Sequence, residues 1–227
     1  MIITVDGPSG AGKGTLCQLL AKHTGFTLLD SGALYRLTAL AALREGIDLS
    51  CEEQVANIAL GLEIHFKPTE QGVQVWLAGQ YVSRQIREEH IGMAASKVAA
   101  LTPVRKALLV RQRAFAVDGQ GLIADGRDMG TVVFQEAEVK LFLTASAQER
   151  ARRRIAQLEE AKLHVDPEQI LRDIQERDRR DTERKTSPLI PAADAILLDS
   201  THMDINAVFE QALSAFERSK QRSDSLR

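Results

Sequence analysis

The chain has 227 residues, of which 44% are hydrophobic and 26% are charged, and this ordinary globular composition is enough for one α/β core with an insertion. The formal net charge of −2 gives no indication of a nucleic-acid polymer or an anionic membrane as a partner. No apolar run approaches the roughly 20 residues of a membrane helix, and a strand that begins at residue 2 leaves no room for a signal peptide, so we expect a cytoplasmic protein.

The first predicted element is a strand over residues 2–5, followed by a glycine-rich loop and a helix that begins near Lys13. This order is typical of a P-loop, in which backbone N–H groups surround phosphate oxygens and the helix dipole adds positive potential. Lys13 is placed to reach the terminal phosphates, and Thr15 is the hydroxyl expected beside Mg²⁺. The predicted nucleotide-binding residues are Gly7, Pro8, Ser9, Gly10, Ala11, Gly12, Lys13, Gly14 and Thr15.

This loop departs from the common Gly-Lys-Ser/Thr ending, because Gly14 separates Lys13 from Thr15. Gly-x-x-Gly-x-Gly-Lys-Gly-Thr resembles the loop of the nucleoside monophosphate kinases rather than that of signalling GTPases. A dinucleotide-binding fingerprint is excluded, since Thr15 stands where its last glycine is required. The alternative, an incidental glycine-rich turn, does not explain the lysine, the threonine and the flanking strand and helix.

Apolar strands alternate with amphipathic helices along the rest of the chain. Further strands are predicted over residues 26–30, 121–125, 139–143 and 195–199. Helices are predicted over 33–45, 50–60 (with a capping box at Ser50 and Glu53), 83–100, and 204–217, and from 102, 146 and 167 onward. We expect the polar residues 219–227 to fray. Five buried strands joined by helices predict an α/β fold, a P-loop three-layer sandwich with a five-stranded parallel sheet.

The stretch over residues 62–81 has a different pattern. Residues 62–67 and 73–77 alternate with period two on either side of a separator at 68–72, and Tyr81-Val82 is a candidate third strand. We therefore predict an inserted antiparallel β-hairpin subdomain.

Polar residues follow the predicted strands, where parallel sheets bind their ligands. Those after the second and third strands include Ser31, Tyr35, Arg36, Asp125, Arg127 and Asp128. Asp125 ends an apolar strand as a Walker-B acid does. A surface loop is the alternative for Arg127 and Asp128, but their position after a buried strand favours function.

Arg177, Asp181 and Arg184 fall at i, i+4 and i+7 and therefore share one helical face. One interpretation is a clamp for anionic substrates, since guanidinium groups bind phosphates with two parallel donors. The other is a solvated helix with internal salt bridges, because residues 178–180 are also charged. The pattern alone leaves both interpretations open.

The whole chain resembles the bacterial cytidylate kinases in four motifs, at residues 7–15, 29–36, 124–131 and 177–184. The first alone indicates a nucleoside monophosphate kinase, whereas Asp-Gly-Arg-Asp-Met-Gly-Thr and the hairpin insertion make the resemblance specific. It implies transfer of the γ-phosphoryl group of ATP, with Mg²⁺, to CMP or dCMP in pyrimidine nucleotide metabolism. It also implies a core (1–30, 101–147 and 185–227), a monophosphate-binding part (31–100) and a short helical lid (148–184).

The resemblance further implies residue roles. The catalytic residues are Lys13, Arg127, Arg177 and Arg184, and the metal ligand is Thr15. The substrate-binding residues are Ser31, Tyr35, Arg36, Ser96, Arg105, Arg127, Asp128, Arg177, Asp181 and Arg184.

The base reader implied by the resemblance is Ser96, Arg105 and Asp128, with Asp181 and Arg177 near the ribose. Cytosine offers a donor at N4 and acceptors at N3 and O2, whereas uracil reverses the pattern at the first two positions. Asp128 and the Ser96 hydroxyl can accept and Arg105 can only donate, so the set suits cytosine. Ser96 and Arg105 lie in plain helical sequence, where ordinary surface side chains are the alternative.

Two other functions remain to be distinguished. One is another small-molecule kinase of the same fold, for uridylate, adenylate or shikimate, against which the Asp-Gly-Arg-Asp stretch and the insertion argue. The other is a P-loop switch protein, since residues 118–121 fit Asp-x-x-Gly, although the guanine-reading Asn-Lys-x-Asp is absent from the sequence. No long apolar surface stripe stands out, so we expect a monomer whose partners are the nucleotides alone.

Overall fold

The structure is a computed structural model that describes residues 1–69 and 72–225. The described chain forms two compact units, Met1–Asp30 with Gln112–Arg227, and Ser31–Arg111. None of the helices in the described part combines the length and the apolar character that a membrane span requires.

The elements follow in chain order as β1 (Ile2–Asp6), α1 (Lys13–Thr24), β2 (Thr27–Asp30), α2 (Ser31–Arg44), α3 (Glu52–Leu60), β3 (Ile64–Thr69), β4 (Gly72–Leu77), β5 (Gln80–Tyr81), a 3₁₀ turn (Gln85–Arg87), α4 (Glu89–Val98), α5 (Thr102–Arg113), β6 (Leu122–Gly126), a π-helical turn (Met129–Val133), β7 (Val139–Thr144), α6 (Ala147–Glu160), α7 (Pro167–Glu183), β8 (Ile196–Asp199) and α8 (Ile205–Ser225).

The first unit contains a five-stranded sheet in the order β2-β6-β1-β7-β8, and every neighbouring pair is parallel. The predicted parallel α/β sheet is therefore confirmed. Successive strand residues point to opposite faces, yet Ile3, Thr4, Val5 and Asp6 are all buried, so both faces of β1 are covered. Helices α1 and α8 contribute apolar side chains to the same core as the central strands. This packing fixes the carboxyl ends of β1, β2 and β6 along one edge of the sheet.

The second unit contains an antiparallel sheet, β3-β4-β5, in which Ile64 pairs with Leu77 and Phe66 with Val75. Val75 and Leu77 are buried, as the period-two pattern predicts. The predicted hairpin insertion is confirmed, and its third strand lies at Gln80–Tyr81. The predicted separator was too long, because both strands extend into it, and Glu70 and Gln71 lie outside the described residues.

Three predicted boundaries were wrong. The helix predicted over 83–100 is broken at Glu88, whose extended backbone (φ −64, ψ 147) separates the 3₁₀ turn from α4. The capping box before α3 does not form: Cys51 is the N-cap and makes no side-chain cap bond, while the Ser50 N–H donates to Asp48 Oδ1 at 2.9 Å. Helix α8 continues to Ser225, because lysine, glutamine and arginine are good helix formers despite their polarity.

Candidate active site

The loop between β1 and α1 has the backbone of an anion-binding loop. Gly7, Gly10 and Gly12 all have positive φ, and Gly12 is the N-cap of α1. No side chain among the described residues caps this helix terminus. The first N–H group with a helical acceptor belongs to Leu16, which donates to the Gly12 carbonyl at 3.1 Å. The preceding N–H groups and the positive end of the helix dipole are therefore directed at the loop, which suits phosphate.

Gly7 provides the first stability prediction, because its φ is +148 and an added Cβ would lie 1.9 Å from the Leu143 carbonyl oxygen. Gly7→Ala is expected to lower the free energy of unfolding by about 3 kcal/mol or more, since β7 and the loop must move apart. Gly14→Ala is the matched control, because its Cβ would meet nothing nearer than Asp125 Oδ2 at 3.8 Å. We expect Gly14→Ala to change stability by less than about 1 kcal/mol. Urea unfolding measures both, and equal losses would contradict the steric argument.

Lys13 is the first residue of α1 and is 6% exposed. Its Nζ donates to the Pro8 carbonyl at 3.0 Å and lies 3.7 Å from Asp125 Oδ1. The pKa of Lys13 is lowered from 10.5 to about 8, chiefly by burial and also by the charge of Arg127, while the charge of Asp125 acts in the opposite direction. The ammonium group is thus held inside the loop, where phosphate oxygens would be bound.

Carboxylates end the neighbouring strands of this edge. Asp30 of β2 pairs in register with Asp125 of β6, and burial, with the Asp30 charge as a smaller cause of the same sign, raises the pKa of Asp125 to about 6. The Thr15 side chain is exposed in the first turn of α1. Within the described residues, no group of three or more His, Cys, Asp or Glu side chains could hold a metal ion alone. A divalent cation here would therefore take a large share of its ligands from phosphates and water.

Helix α7 separates its charged residues into two classes. Arg177, Asp181 and Arg184 are 8%, 6% and 9% exposed. The Arg179 side chain is 56% exposed and pairs with Glu176 and Glu183 on its own helix. The solvated-face interpretation therefore describes Arg179, and it does not describe the other three residues.

Asp181 joins two of the predicted arginines. Its Oδ2 accepts from Arg127 Nε at 2.9 Å, and its Oδ1 lies 3.7 Å from Arg184 Nη1. The Asp181 carbonyl accepts from the Leu189 N–H at 2.7 Å, and Arg184 Nε donates to the Ser187 carbonyl at 2.6 Å. The carboxylate thus contacts the guanidinium group of Arg127, which lies 54 residues away in the sequence, and that of Arg184 in its own segment.

Asp128 is 2% exposed, so the surface-loop alternative does not hold for it. It directly precedes the π-helical turn, and its carbonyl accepts from the N–H groups of Val132 and Val133 at 2.9 and 3.2 Å. Two further bonds join this turn to β1, since the Asp6 carboxylate accepts from the N–H groups of Met129 and Gly130, each at 2.8 Å.

The predicted substrate residues of the second unit are mostly buried or hydrogen-bonded. Arg105 is 8% exposed, donates to the Ala99 carbonyl at 2.9 Å and stacks over the Tyr35 ring at 5.5 Å. Arg36 Nη1 donates to the Ile86 carbonyl at 2.9 Å, and Ser31 begins α2 as a buried residue.

Ser96 lies on α4, and its hydroxyl oxygen is buried without a hydrogen-bond partner among the described residues. A buried unsatisfied hydroxyl destabilises a fold by about 1–3 kcal/mol, so such a group suggests a bound ligand. Neither Ser96 nor Arg105 is therefore an ordinary surface side chain.

Arg150 in α6 is a residue that the sequence patterns did not single out. It is buried, donates to the Ser9 carbonyl of the P-loop at 2.9 Å and forms a two-fold hydrogen bond with the Asp178 carboxylate of α7. It thus ties the P-loop to the helix that carries Arg177 and Asp181. Its amphipathic helix gave no local signal, because the partners lie 141 and 28 residues away.

The family model and the sequence relatives of this chain agree on one family. A family model described as Cytidylate kinase matches residues 3–218. The cytidylate kinase of Vibrio cholerae is 59% identical over 216 residues, which cover 95% of this chain and 96% of that protein. The cytidylate kinase of Saccharophagus degradans is 58% identical over 214 residues, which cover 94% and 95%. A solved structure of an uncharacterized protein from Eubacterium ventriosum covers 96% of this chain and 98% of its own, at 13% identity with a TM-score of 0.50, and shares the fold alone.

Proposed function

The chain belongs to the cytidylate kinase family, and on that premise we propose which of its residues perform the family's reaction. The protein transfers a phosphoryl group from ATP to CMP or dCMP, which gives ADP with CDP or dCDP. The observation that carries the assignment of phosphoryl transfer is the position of Lys13, buried at the uncapped end of α1 and 3.7 Å from Asp125. The choice of CMP or dCMP as acceptor rests on the family match.

In this proposal the loop over residues 7–15 holds the phosphates of ATP through its backbone N–H groups. Lys13 stabilises the charge that develops on the transferred group. The chemistry of Thr15 and Asp125 also fits Mg²⁺, which prefers oxygen ligands. A cation there would favour the ionised form of Asp125, which burial disfavours by raising its pKa. When bound, Mg²⁺ supplies charge neutralisation on the phosphate oxygens.

Arg127, Arg177 and Arg184 are proposed to clamp the phosphates as bidentate donors. Asp181 holds Arg127 and Arg184 in orientation through the contacts described above. Phosphoryl transfer depends on positioning and electrostatics rather than on covalent chemistry by the protein. No general base is required, since the acceptor is a phosphate group that is already ionised.

The residues proposed to bind the monophosphate are Ser31, Tyr35, Arg36, Ser96, Arg105 and Asp128, with Arg177 and Asp181 near the ribose. Asp128 accepts from cytosine N4, and Arg105 donates to its acceptors. The unsatisfied hydroxyl of Ser96 supports this role, because a base edge would supply its missing partner.

The proposal also divides the chain into three moving parts, a core (1–30, 101–147 and 185–227), a monophosphate-binding part (31–100) and a lid (148–184). A lid that excludes water strengthens the electrostatic interactions between charged side chains and phosphates, and it prevents hydrolysis of ATP. We propose further that the protein acts as a monomer in the cytoplasm. Sedimentation velocity at micromolar concentration tests the monomer, which a stable dimer would contradict.

A coupled ATPase assay across CMP, dCMP, UMP, AMP and GMP tests the substrate assignment. We expect rapid ATP turnover with CMP and dCMP and little with the other three. A preference for UMP or AMP would favour one of the other kinases of this fold. Slow hydrolysis of tightly retained GTP, without dependence on a monophosphate, would favour a switch protein.

Asp128→Ala provides the specificity prediction. We expect kcat/KM for CMP to fall about tenfold or more and the value for UMP to change much less, since the acceptor opposite N4 is lost. Asp118→Ala, which removes an exposed aspartate from a turn of the same unit, is the control and is expected to leave both values unchanged. A CMP to UMP ratio that stays at the wild-type value in Asp128→Ala would show that Asp128 does not read the base.

A further inference from the structure

Asp6 is a buried carboxylate to which the proposed reaction gives no role. It ends β1, is 4% exposed, and uses each of its two oxygens for a different backbone donor. Oδ1 accepts from the Met129 N–H and Oδ2 from the Gly130 N–H, both at 2.8 Å. A carboxylate is the side chain that can accept two such bonds in parallel.

The surroundings show that this carboxylate is unfavourable for the fold by itself. The pKa of Asp6 is raised to about 6, chiefly by burial and to a smaller extent by the charge of Asp128. The hydrogen bonds from Gly130 and Met129, and the charge of Lys13, act in the opposite direction. Burial disfavours the ionised form of this carboxyl group, yet both of its oxygens accept hydrogen bonds from backbone donors 123 and 124 residues away. This combination indicates that Asp6 holds the backbone of the turn in place.

The two donors lie directly beside the residues proposed to bind substrate. Met129 and Gly130 are the first residues of the π-helical turn, and Asp128 immediately precedes it. Movement of the Met129 N–H away from β1 would therefore displace Asp128, and with it the adjacent Arg127.

The turn is also packed closely against β1 at Gly130. A Cβ added there would lie 2.9 Å from Thr4 Oγ1, 3.2 Å from Lys140 Cδ and 3.4 Å from Asp6 Oδ2. A side chain at this position would therefore lift the turn from the strand. Both the hydrogen bonds and the absence of a side chain bring the turn onto the end of β1.

We infer that Asp6 is a positioning residue for binding of the monophosphate substrate. It holds the backbone of the loop that carries Arg127 and Asp128, and so places those two side chains. Asp6 contacts the loop backbone and acts through those two side chains. The inference rests on the roles proposed above for Arg127 and Asp128.

Two variants disturb the contact between Asp6 and the π-helical turn, one from the strand and one from the turn. Asp6→Asn retains the shape but presents an NH₂ group to one of the two N–H donors, and Gly130→Ala displaces the turn without altering Asp6. Each is expected to raise KM for CMP by roughly ten- to a hundredfold, to lower the CMP to UMP selectivity and to leave KM for ATP within about twofold. Because Gly130→Ala keeps the sequence of the P-loop strand, including the Asp6 carboxylate, it decides the question even if Asp6→Asn does not fold.

Two further variants separate the possible explanations. Val208→Ala creates a core cavity in the same unit, where Val208 of α8 is 1% exposed, and serves as a control for stability alone. Asp128→Ala tests the proposed function independently. The inference is overturned if Val208→Ala raises KM for CMP as much as Gly130→Ala does. It is also overturned if KM for CMP stays normal in Asp6→Asn and Gly130→Ala while Asp128→Ala loses CMP, a result that leaves the proposed function intact. If Asp128→Ala has no effect, the proposed role of Asp128 is wrong. A selective rise in KM for CMP in both Asp6→Asn and Gly130→Ala would then show that Asp6 positions Arg127.

Discussion

Lys13→Ala is expected to lower kcat by roughly a hundred- to a thousandfold, because we propose that the lysine stabilises charge that is greatest in the transition state. Its ammonium lies inside the P-loop, bonded to the Pro8 carbonyl and 3.7 Å from Asp125. Steady-state assays with saturating ATP and CMP measure the loss. Lys22→Ala, which removes an exposed lysine from the last turn of the same helix, is the control and should retain wild-type kcat.

The same variant should remain folded, and the direction of the pKa shift explains why. The pKa of Lys13 falls on folding from 10.5 to about 8, so protonation favours the unfolded chain. The charged lysine therefore destabilises the fold at neutral pH, and this destabilisation disappears as pH rises from about 8 towards 10.5. Asp125, whose pKa is about 6, can take up a proton when the lysine is removed. Near-normal kcat in Lys13→Ala would contradict the P-loop assignment, and unfolding of the variant at pH 7 would contradict the linkage argument.

The strands of the parallel sheet could be predicted because each is a short, nearly continuous apolar run, and burial on both faces produces that pattern locally. The P-loop was likewise evident, since its glycines, lysine and threonine are contiguous. The hairpin followed from its period-two alternation, which reflects one buried face. Helix ends were predicted less well where a single residue changed conformation, as at Glu88.

The interactions that organise the site join residues far apart in the chain, and local sequence patterns do not predict them. Asp6 meets its donors 123 and 124 residues away, and Arg150 meets the Ser9 carbonyl 141 residues away. Spacing along the chain placed Arg177, Asp181 and Arg184 on one face of a helix but left open whether that face was buried. The structure answers this question, because all three side chains are buried and Asp181 accepts a hydrogen bond from Arg127.

Arg177→Ala and Arg184→Ala form the second large prediction. Each substitution should reduce kcat/KM roughly ten- to 150-fold if the guanidinium groups form charge-assisted hydrogen bonds to phosphate. This corresponds to a loss of about 1.5–3 kcal/mol of transition-state stabilisation. Arg184→Ala should also lower the free energy of unfolding by about 1–2 kcal/mol, because Arg184 Nε donates to the Ser187 carbonyl at 2.6 Å. Kinetics and urea unfolding are therefore measured on the same preparations, at a temperature where every variant is fully folded.

Arg179→Ala is the matched control, since it removes an arginine from the same helix whose side chain is 56% exposed and is paired with Glu176 and Glu183. Exposed pairs of this kind contribute less than about 1 kcal/mol to stability, and we expect wild-type kcat/KM for this variant. If Arg177→Ala and Arg184→Ala lose stability but keep kcat/KM, the buried arginines support the fold alone. If all three variants lose activity equally, the net charge of α7 rather than its buried face governs catalysis. A loss confined to the two buried positions supports a clamp on the phosphates, oriented by Asp181.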